Sequence, residues 1–121
     1  MEVYQKDYKD FLDSYESGVT SGEAVGFLVA KLAQYFSDKN LELGECDRKY
    51  NNKMAEIADS IDESTGKSIS MAKAEIMAKA TEEAFKYTLQ RTHLQNIEQL
   101  LNAAKILQKG VLNEFSHTGL I

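Results

Sequence analysis

The sequence predicts an all-α chain: a short N-terminal helix followed by two long antiparallel helices, a coiled-coil-like hairpin that packs in an oligomeric bundle. Three observations carry this. The 121 residues contain no proline, so the commonest interruption of a long helix is missing. Apolar residues recur every seven positions through the middle of the chain. The last third is rich in alanine, leucine, lysine, glutamate and glutamine, all strong helix formers. A chain of this length is expected to form a single helical domain.

The first helix is expected over residues 2–17. Tyr4, Tyr8, Phe11, Leu12 and Tyr15 fall on one helical face, and Lys6, Asp7, Lys9, Asp10 and Asp13 on the other. Gly18 then closes it by adopting a left-handed conformation, and Thr20-Ser21-Gly22-Glu23 has the form of a capping box that starts a new helix. That second helix is expected over residues 21–62. Val29, Phe36, Leu43, Tyr50 and Ile57 are spaced by seven, with Val25, Leu32, Cys46, Met54 and Ile61 on flanking turns. Lys39, Asn40 and Gly44 weaken the stripe, so residues 38–46 are expected to form a soft spot or a kink.

Asp62 to Ser70 gathers turn formers around Gly66, and the chain is expected to reverse there. Neither glycine nor proline then occurs until Gly110, so a third helix is expected over residues 69–115. Its apolar positions are Ile69, Ile76, Met77, Ala80, Ala84, Tyr87, Leu94, Ile97, Leu101, Ala104, Val111 and Phe115. Helices of about 40 to 45 residues would each run on the order of 60 to 70 Å. A two-helix hairpin has one seam, so its other apolar positions, including the tyrosines and Phe11 of the first helix, call for a homodimer or a higher assembly.

Charge narrows the partners. The net charge is −5, and the excess of acid sits in the first half: residues 1–20 sum to −3, residues 21–63 to −4 and residues 64–121 to +2. A general grip on nucleic acid is disfavoured, because Lys67, Lys73, Lys79, Lys86, Arg91, Lys105 and Lys109 are dispersed and interleaved with acids. No run of about 18 apolar residues is present to span a bilayer, and no secretion signal is visible at the N-terminus. A single cysteine, Cys46, excludes an internal disulfide and suits a reducing cytoplasm.

The motifs that could carry chemistry are incomplete. Gly66-Lys67-Ser68 matches the end of a phosphate-binding loop, but the leading glycine would have to be residue 61, which is isoleucine, and the segment before it reads as helix. A turn with Ser68 or Ser70 as helix cap is the plainer reading. No cofactor is expected. Cys46, His93 and His117 are isolated, and Glu114 with His117 gives one E-x-x-H spacing where a di-iron bundle needs two copies and further glutamates, so no metal site is expected. Neither histidine is placed beside a nucleophile, and an enzyme is not expected.

Between Gln90 and Asn102 the chain is polar but poor in formal charge. Arg91, Gln95, Gln99 or Glu98, and Asn102 recur at helical spacing and share a face that could read a base edge, a nucleotide or a peptide backbone; Lys79, Lys86, Arg91, Gln95 and Asn102 are the candidate binding residues. Solvation of a helix, or pairing across an oligomer interface, accounts for the same residues.

Two blocks, Gly66-Lys67-Ser68-Ile69-Ser70-Met71-Ala72-Lys73-Ala74-Glu75 and Asn96-Ile97-Glu98-Gln99-Leu100-Leu101-Asn102-Ala103-Ala104-Lys105, the second ending at Leu112-Asn113-Glu114-Phe115, resemble those of small helical proteins encoded in early gene clusters of bacteriophages and prophages. The resemblance implies a cytoplasmic accessory protein, in the host cytoplasm if phage-encoded, and brings no catalytic residue. The expected function is that of a non-enzymatic interaction protein that occludes or scaffolds another macromolecule, such as an inhibitor of a host factor or host defence. Its alternative is a binder of nucleic acid or small nucleotides through Lys79, Lys86, Arg91, Gln95 and Asn102.

Overall fold

Each helix begins where a side chain can satisfy N–H groups that the helix itself leaves free. The computed structural model describes residues 1–18 and 21–117, with side chains through Val111. Four helices follow in order: α1 (Val3–Glu16), α2 (Gly22–Ala58), α3 (Met71–Lys79) and α4 (Glu82–His117). No strand occurs among the described residues; an isolated antiparallel bridge joins Ile61 to Ser68.

Glu2 and Gln5 form a reciprocal capping box at the start of α1, the Glu2 amide donating to Gln5 Oε1 at 2.9 Å. Gly18 ends that helix at φ +76°, the left-handed conformation expected of it. The Ser21 hydroxyl accepts from the Ala24 amide at 3.2 Å and opens α2; Val19 and Thr20 lie outside the described residues. α2 then runs unbroken across residues 38–46, so the weak stripe there does not interrupt it. It ends at Ala58, four residues before the expected boundary.

The expected reversal lies between Asp59 and Ser70. Asp62 organises it: its amide donates to the Lys67 carbonyl at 2.7 Å, its own carbonyl accepts from the Gly66 amide at 2.7 Å, and Gly66 takes φ +69°. Ser70 caps α3 by accepting from the Lys73 amide at 3.2 Å.

A single helix over 69–115 is not what forms. The chain breaks at Ala80–Thr81 because Thr81 serves two helix ends at once: its hydroxyl donates to the Ala78 carbonyl at 2.6 Å and accepts from the Ala84 amide at 3.2 Å. Glu82 and Glu83 stand in the first turn of α4, where carboxylates favour the positive end of a helix. The break resets the phase of the stripe. Ala74 and Ala78 become the buried side of α3, while Ile76, Met77 and Ala80, expected on the packed face, are exposed.

The chain divides into two units, each with its own packing: Met1–Asp38 together with the chain from Leu94 onward, and Lys39–His93. In the first, Tyr4 and Phe11 of α1, Val25, Leu28 and Leu32 of α2, and Ile97 and Ala104 of α4 form one cluster. Tyr8, Leu12, Val29, Tyr35, Phe36, Leu100, Leu101, Leu107 and Val111 pack around it. Tyr4 and Phe11 of α1, for which another copy was expected, are thus buried by the chain's own helices, while Tyr15 stays 46% exposed.

The second unit is built differently. Its fully buried residues, among those described, are the alanines Ala74, Ala78 and Ala84. Tyr50 of α2 meets Tyr87 of α4 edge-on, with ring centroids 5.7 Å apart. Gln90 keeps a buried amide oxygen with no hydrogen-bond partner among the described atoms, an arrangement that costs rather than contributes stability.

The contrast in burial gives a direct expectation for stability. Leu32 is 0% exposed, so Leu32→Ala should cost about 2–5 kcal/mol by lost burial and the cavity left behind. Leu41, at 75% exposure on the same helix, should change by no more than about 0.5 kcal/mol in Leu41→Ala. Urea denaturation of the two variants measures the difference.

Candidate functional site

The first unit carries a cleft of about 260 Å3 between α1 and α4. Helical spacing explains its α1 wall: Tyr4, Gln5, Tyr8, Lys9 and Leu12 recur every three to four residues and share one side of the helix. Asn96, Gln99 and Leu100 form the facing wall from α4. Tyr4 is 1% exposed and forms the floor, while Tyr8, Leu12 and Leu100 are half-buried and offer apolar surface with reach to solvent. Gln5 Oε1 is engaged by the Glu2 amide, which fixes that side chain against the helix start. The side-chain amides of Asn96 and Gln99 bring both donors and acceptors, and Lys9 brings a cation. Such a lining offers apolar surface together with hydrogen-bond donors and acceptors.

The α1 wall is held in place from its other side. Asp7 accepts a 2.6 Å hydrogen bond from the Tyr35 hydroxyl and lies 3.3 Å from Lys31 Nζ, tying α1 to α2. The Tyr35 hydroxyl, with help from Lys31, holds the Asp7 carboxyl below its ordinary 3.8, and the same bond, with burial, raises Tyr35 above its ordinary 10.0. Beneath this clamp a smaller hollow of about 140 Å3 lies among Asp7, Asp10, Phe11, Ala24, Phe27, Leu28 and Lys31. Lys31 Nζ stands 5.6 Å from the centre of the Phe27 ring, a cation–π contact on an exposed aromatic.

The residues singled out in the sequence lie elsewhere. Lys79 ends α3, and Lys86 pairs with Glu82 at 3.4 Å on the first turns of α4. Arg91 lies 5.8 Å from the centre of the Tyr87 ring. These three belong to the unit Lys39–His93, whereas Gln95 and Asn102 are exposed on α4 in the other unit. None of the five lines the cleft. Gln99 was on the polar face noted in the sequence; Asn96 and the α1 residues were not read as binding groups, because the tyrosines of α1 carry the stronger signal of a packing stripe.

The remaining motifs have structural settings. Gly66-Lys67-Ser68 lies in the Asp62 turn, where the Ser64 hydroxyl and amide together with Lys73 Nζ, at 2.9 Å, draw the Asp62 carboxyl down to about 2. Cys46 is a half-buried free thiol. No group of three or more His, Cys, Asp or Glu able to hold a metal ion occurs among the described residues, and the side chains of Glu114 and His117 lie outside them. No helix among the described residues is long and apolar enough to cross a membrane.

Fold and cleft together define an all-α protein with a small open groove in one of its two units. Comparison with protein-family models, with curated proteins and with solved structures finds no match.

The clamp gives a pH window with a definite sign. Asp7 is lowered, so its contribution is present above about pH 3.8 and is lost as pH falls through the folded value; Tyr35 is raised, so its contribution is present below about pH 10.0 and is lost as pH rises past the folded value. Tyr35→Phe should move the Asp7 titration back up towards 3.8 and cost about 1 kcal/mol at neutral pH. Carboxyl-detected NMR titration and thermal unfolding measure the two effects.

Proposed function

We propose that the protein acts without catalysis, by binding another protein through the cleft between α1 and α4. The cleft carries the reading. Its volume of about 260 Å3 falls below the usual range of about 300–1,000 Å3 for small-molecule sites, and suits one large side chain presented by a partner. Tyr8, Leu12 and Leu100 would surround an aromatic or leucine anchor, and the amides of Asn96 and Gln99 with Lys9 would take the backbone carbonyls beside it. An interaction protein that occludes or scaffolds its partner is the role this supports; the phage accessory type rests on the two resembling sequence blocks alone. We also infer antiparallel pairing of α2 and α4 within the unit; Gly26 near the start of α2 stands beside Gln108 late in α4, and Leu32 shares its cluster with Ile97.

Selection of displayed random peptides on the purified full chain tests the reading. Peptides anchored by an aromatic residue or leucine should be enriched, and Gln99→Trp, which fills the cleft from an exposed position, should weaken them at least about tenfold, or roughly 1.4 kcal/mol. Gln95→Trp, outside the cleft, should leave them unchanged. Failure to enrich any peptide, or equal binding by Gln99→Trp, would sink the proposal, and a nucleotide competing for the same cleft would replace protein by the alternative ligand.

A further inference from the structure

Only Ala80 and Thr81 separate α3 from α4, and little in the backbone fixes the break. Ala80 takes φ −88° and ψ 1°, about 40° in ψ from an ideal helix. The amides of Ala80 and Thr81 donate to the carbonyls of Met77 and Ala78 at 3.2 Å each, the i to i−3 bonds of a tightened last turn, and the Phe85 amide reaches the Thr81 carbonyl at 3.2 Å. Neither glycine nor proline stands between Gly66 and Gly110, so no residue there bars a continuous helix. What holds the joint bent is the Thr81 hydroxyl, bonded to the Ala78 carbonyl and the Ala84 amide. We propose that this joint is a two-state hinge: bent while the hydroxyl keeps both bonds, and straight when it releases them, with residues 71–117 then forming one helix. The proposal does not rest on the cleft, which belongs to the other unit.

The side chains suit both states. Ala84 is buried and Tyr87 packs on Tyr50, so these two mark the inward side at the start of α4. At about 100° per residue a straight helix places Met77 roughly 20° from Ala84 and Ile76 roughly 20° from Tyr87. In the bent state both are in water, Ile76 at 71% and Met77 at 43% exposure. Straightening turns Ala74 and Ala78, which the bent state buries, at least about 80° away from Ala84 and Tyr87. Alanine loses the least of the apolar residues when exposed and is the best helix former, so the side chains that leave the interior are the ones that leave it most cheaply. The linking chain permits the change. With Tyr50 beside Tyr87, a straight helix sets Met71 no more than roughly 37 Å from Ala58, and the residues between them reach about 43 Å when extended. The hinge thus displays Ile76 and Met77 in one state and withdraws them in the other.

Pulsed electron double resonance on the full chain reads the hinge, with spin labels at Ala72→Cys and Thr92→Cys, both exposed positions, and Cys46→Ala removing the native thiol. A straight helix sets the two labelled positions about 30 Å apart, and a bent joint brings them closer. The otherwise unchanged chain should show mostly the shorter distance with a minor population near 30 Å. Thr81→Ala should raise the ratio of long to short at least about fivefold, or roughly 1 kcal/mol of lost capping. Thr81→Val, of similar shape but without the hydroxyl, should do the same, and Thr81→Ser, which keeps it, should leave the ratio unchanged. Glu82→Pro places proline at the first position of α4, which a bent joint accepts and a continuous helix does not, so the long distance should vanish. Alanine and valine variants whose distances match those of Glu82→Pro, or a Glu82→Pro chain that keeps the long population, overturn the inference.

Discussion

Two long helices cannot dry their apolar stripes with one seam, and the third element that covers them decides what each part of this chain becomes. In the first unit that element is α1, which drives Tyr4 and Phe11 into the cluster made by Val25, Leu28, Leu32, Ile97 and Ala104. Two aromatic rings bring enough surface to close a core of this size, at roughly 25 cal/mol for each Å2 removed from water. The α1 side that is left over, with Tyr8, Lys9 and Leu12, becomes a wall of the cleft. In the second unit the element is α3, which presents Ala74 and Ala78 inward. Alanine permits close approach of helices but removes little surface from water, and Ile76, Met77, Phe85 and Leu89 stay exposed.

The placement of α3 is a consequence of one hydroxyl. Thr81 accepts from the Ala84 amide and donates to the Ala78 carbonyl, so one side chain satisfies a helix end on either side of the break. With a continuous helix, Ile76, Ala80 and Ala84 would lie along one stripe, and the unit would have had a larger apolar core. The gain from the cap and from the acidic first turn of α4 is local, whereas the cost is distributed over residues that remain in water.

Much of the architecture is legible in the residues themselves. Gly18, Ser21, Asp62, Gly66 and Ser70 each punctuate the chain through a specific turn or cap, and the boundaries of α1 and the start of α2 follow from them. The seven-spaced positions Val29, Phe36, Leu43, Tyr50 and Ile57 are all half-buried, as a helix seam requires. The Thr81 break is harder to read, because a lone threonine between Met77-Ala78-Lys79-Ala80 and Glu82-Glu83-Ala84 is outvoted in any sum of propensities, and only Glu82-Glu83 hints at a helix start. The cleft is harder still. It joins residues more than eighty positions apart, and neither wall carries a spacing that distinguishes a groove from an ordinary packed face.

The alanine lining of α3 also sets an order of events when the protein loosens. A nine-residue helix is too short to hold itself in water, and two buried methyl groups anchor it weakly against its neighbours. Among the described helices, the stretch from Asp59 to Ala80 is therefore expected to open its backbone amides to solvent and to a protease before the aromatic cluster of the other unit gives way. Susceptibility to cellular turnover is in this way concentrated in about twenty residues, and whatever shields them lengthens the life of the whole chain.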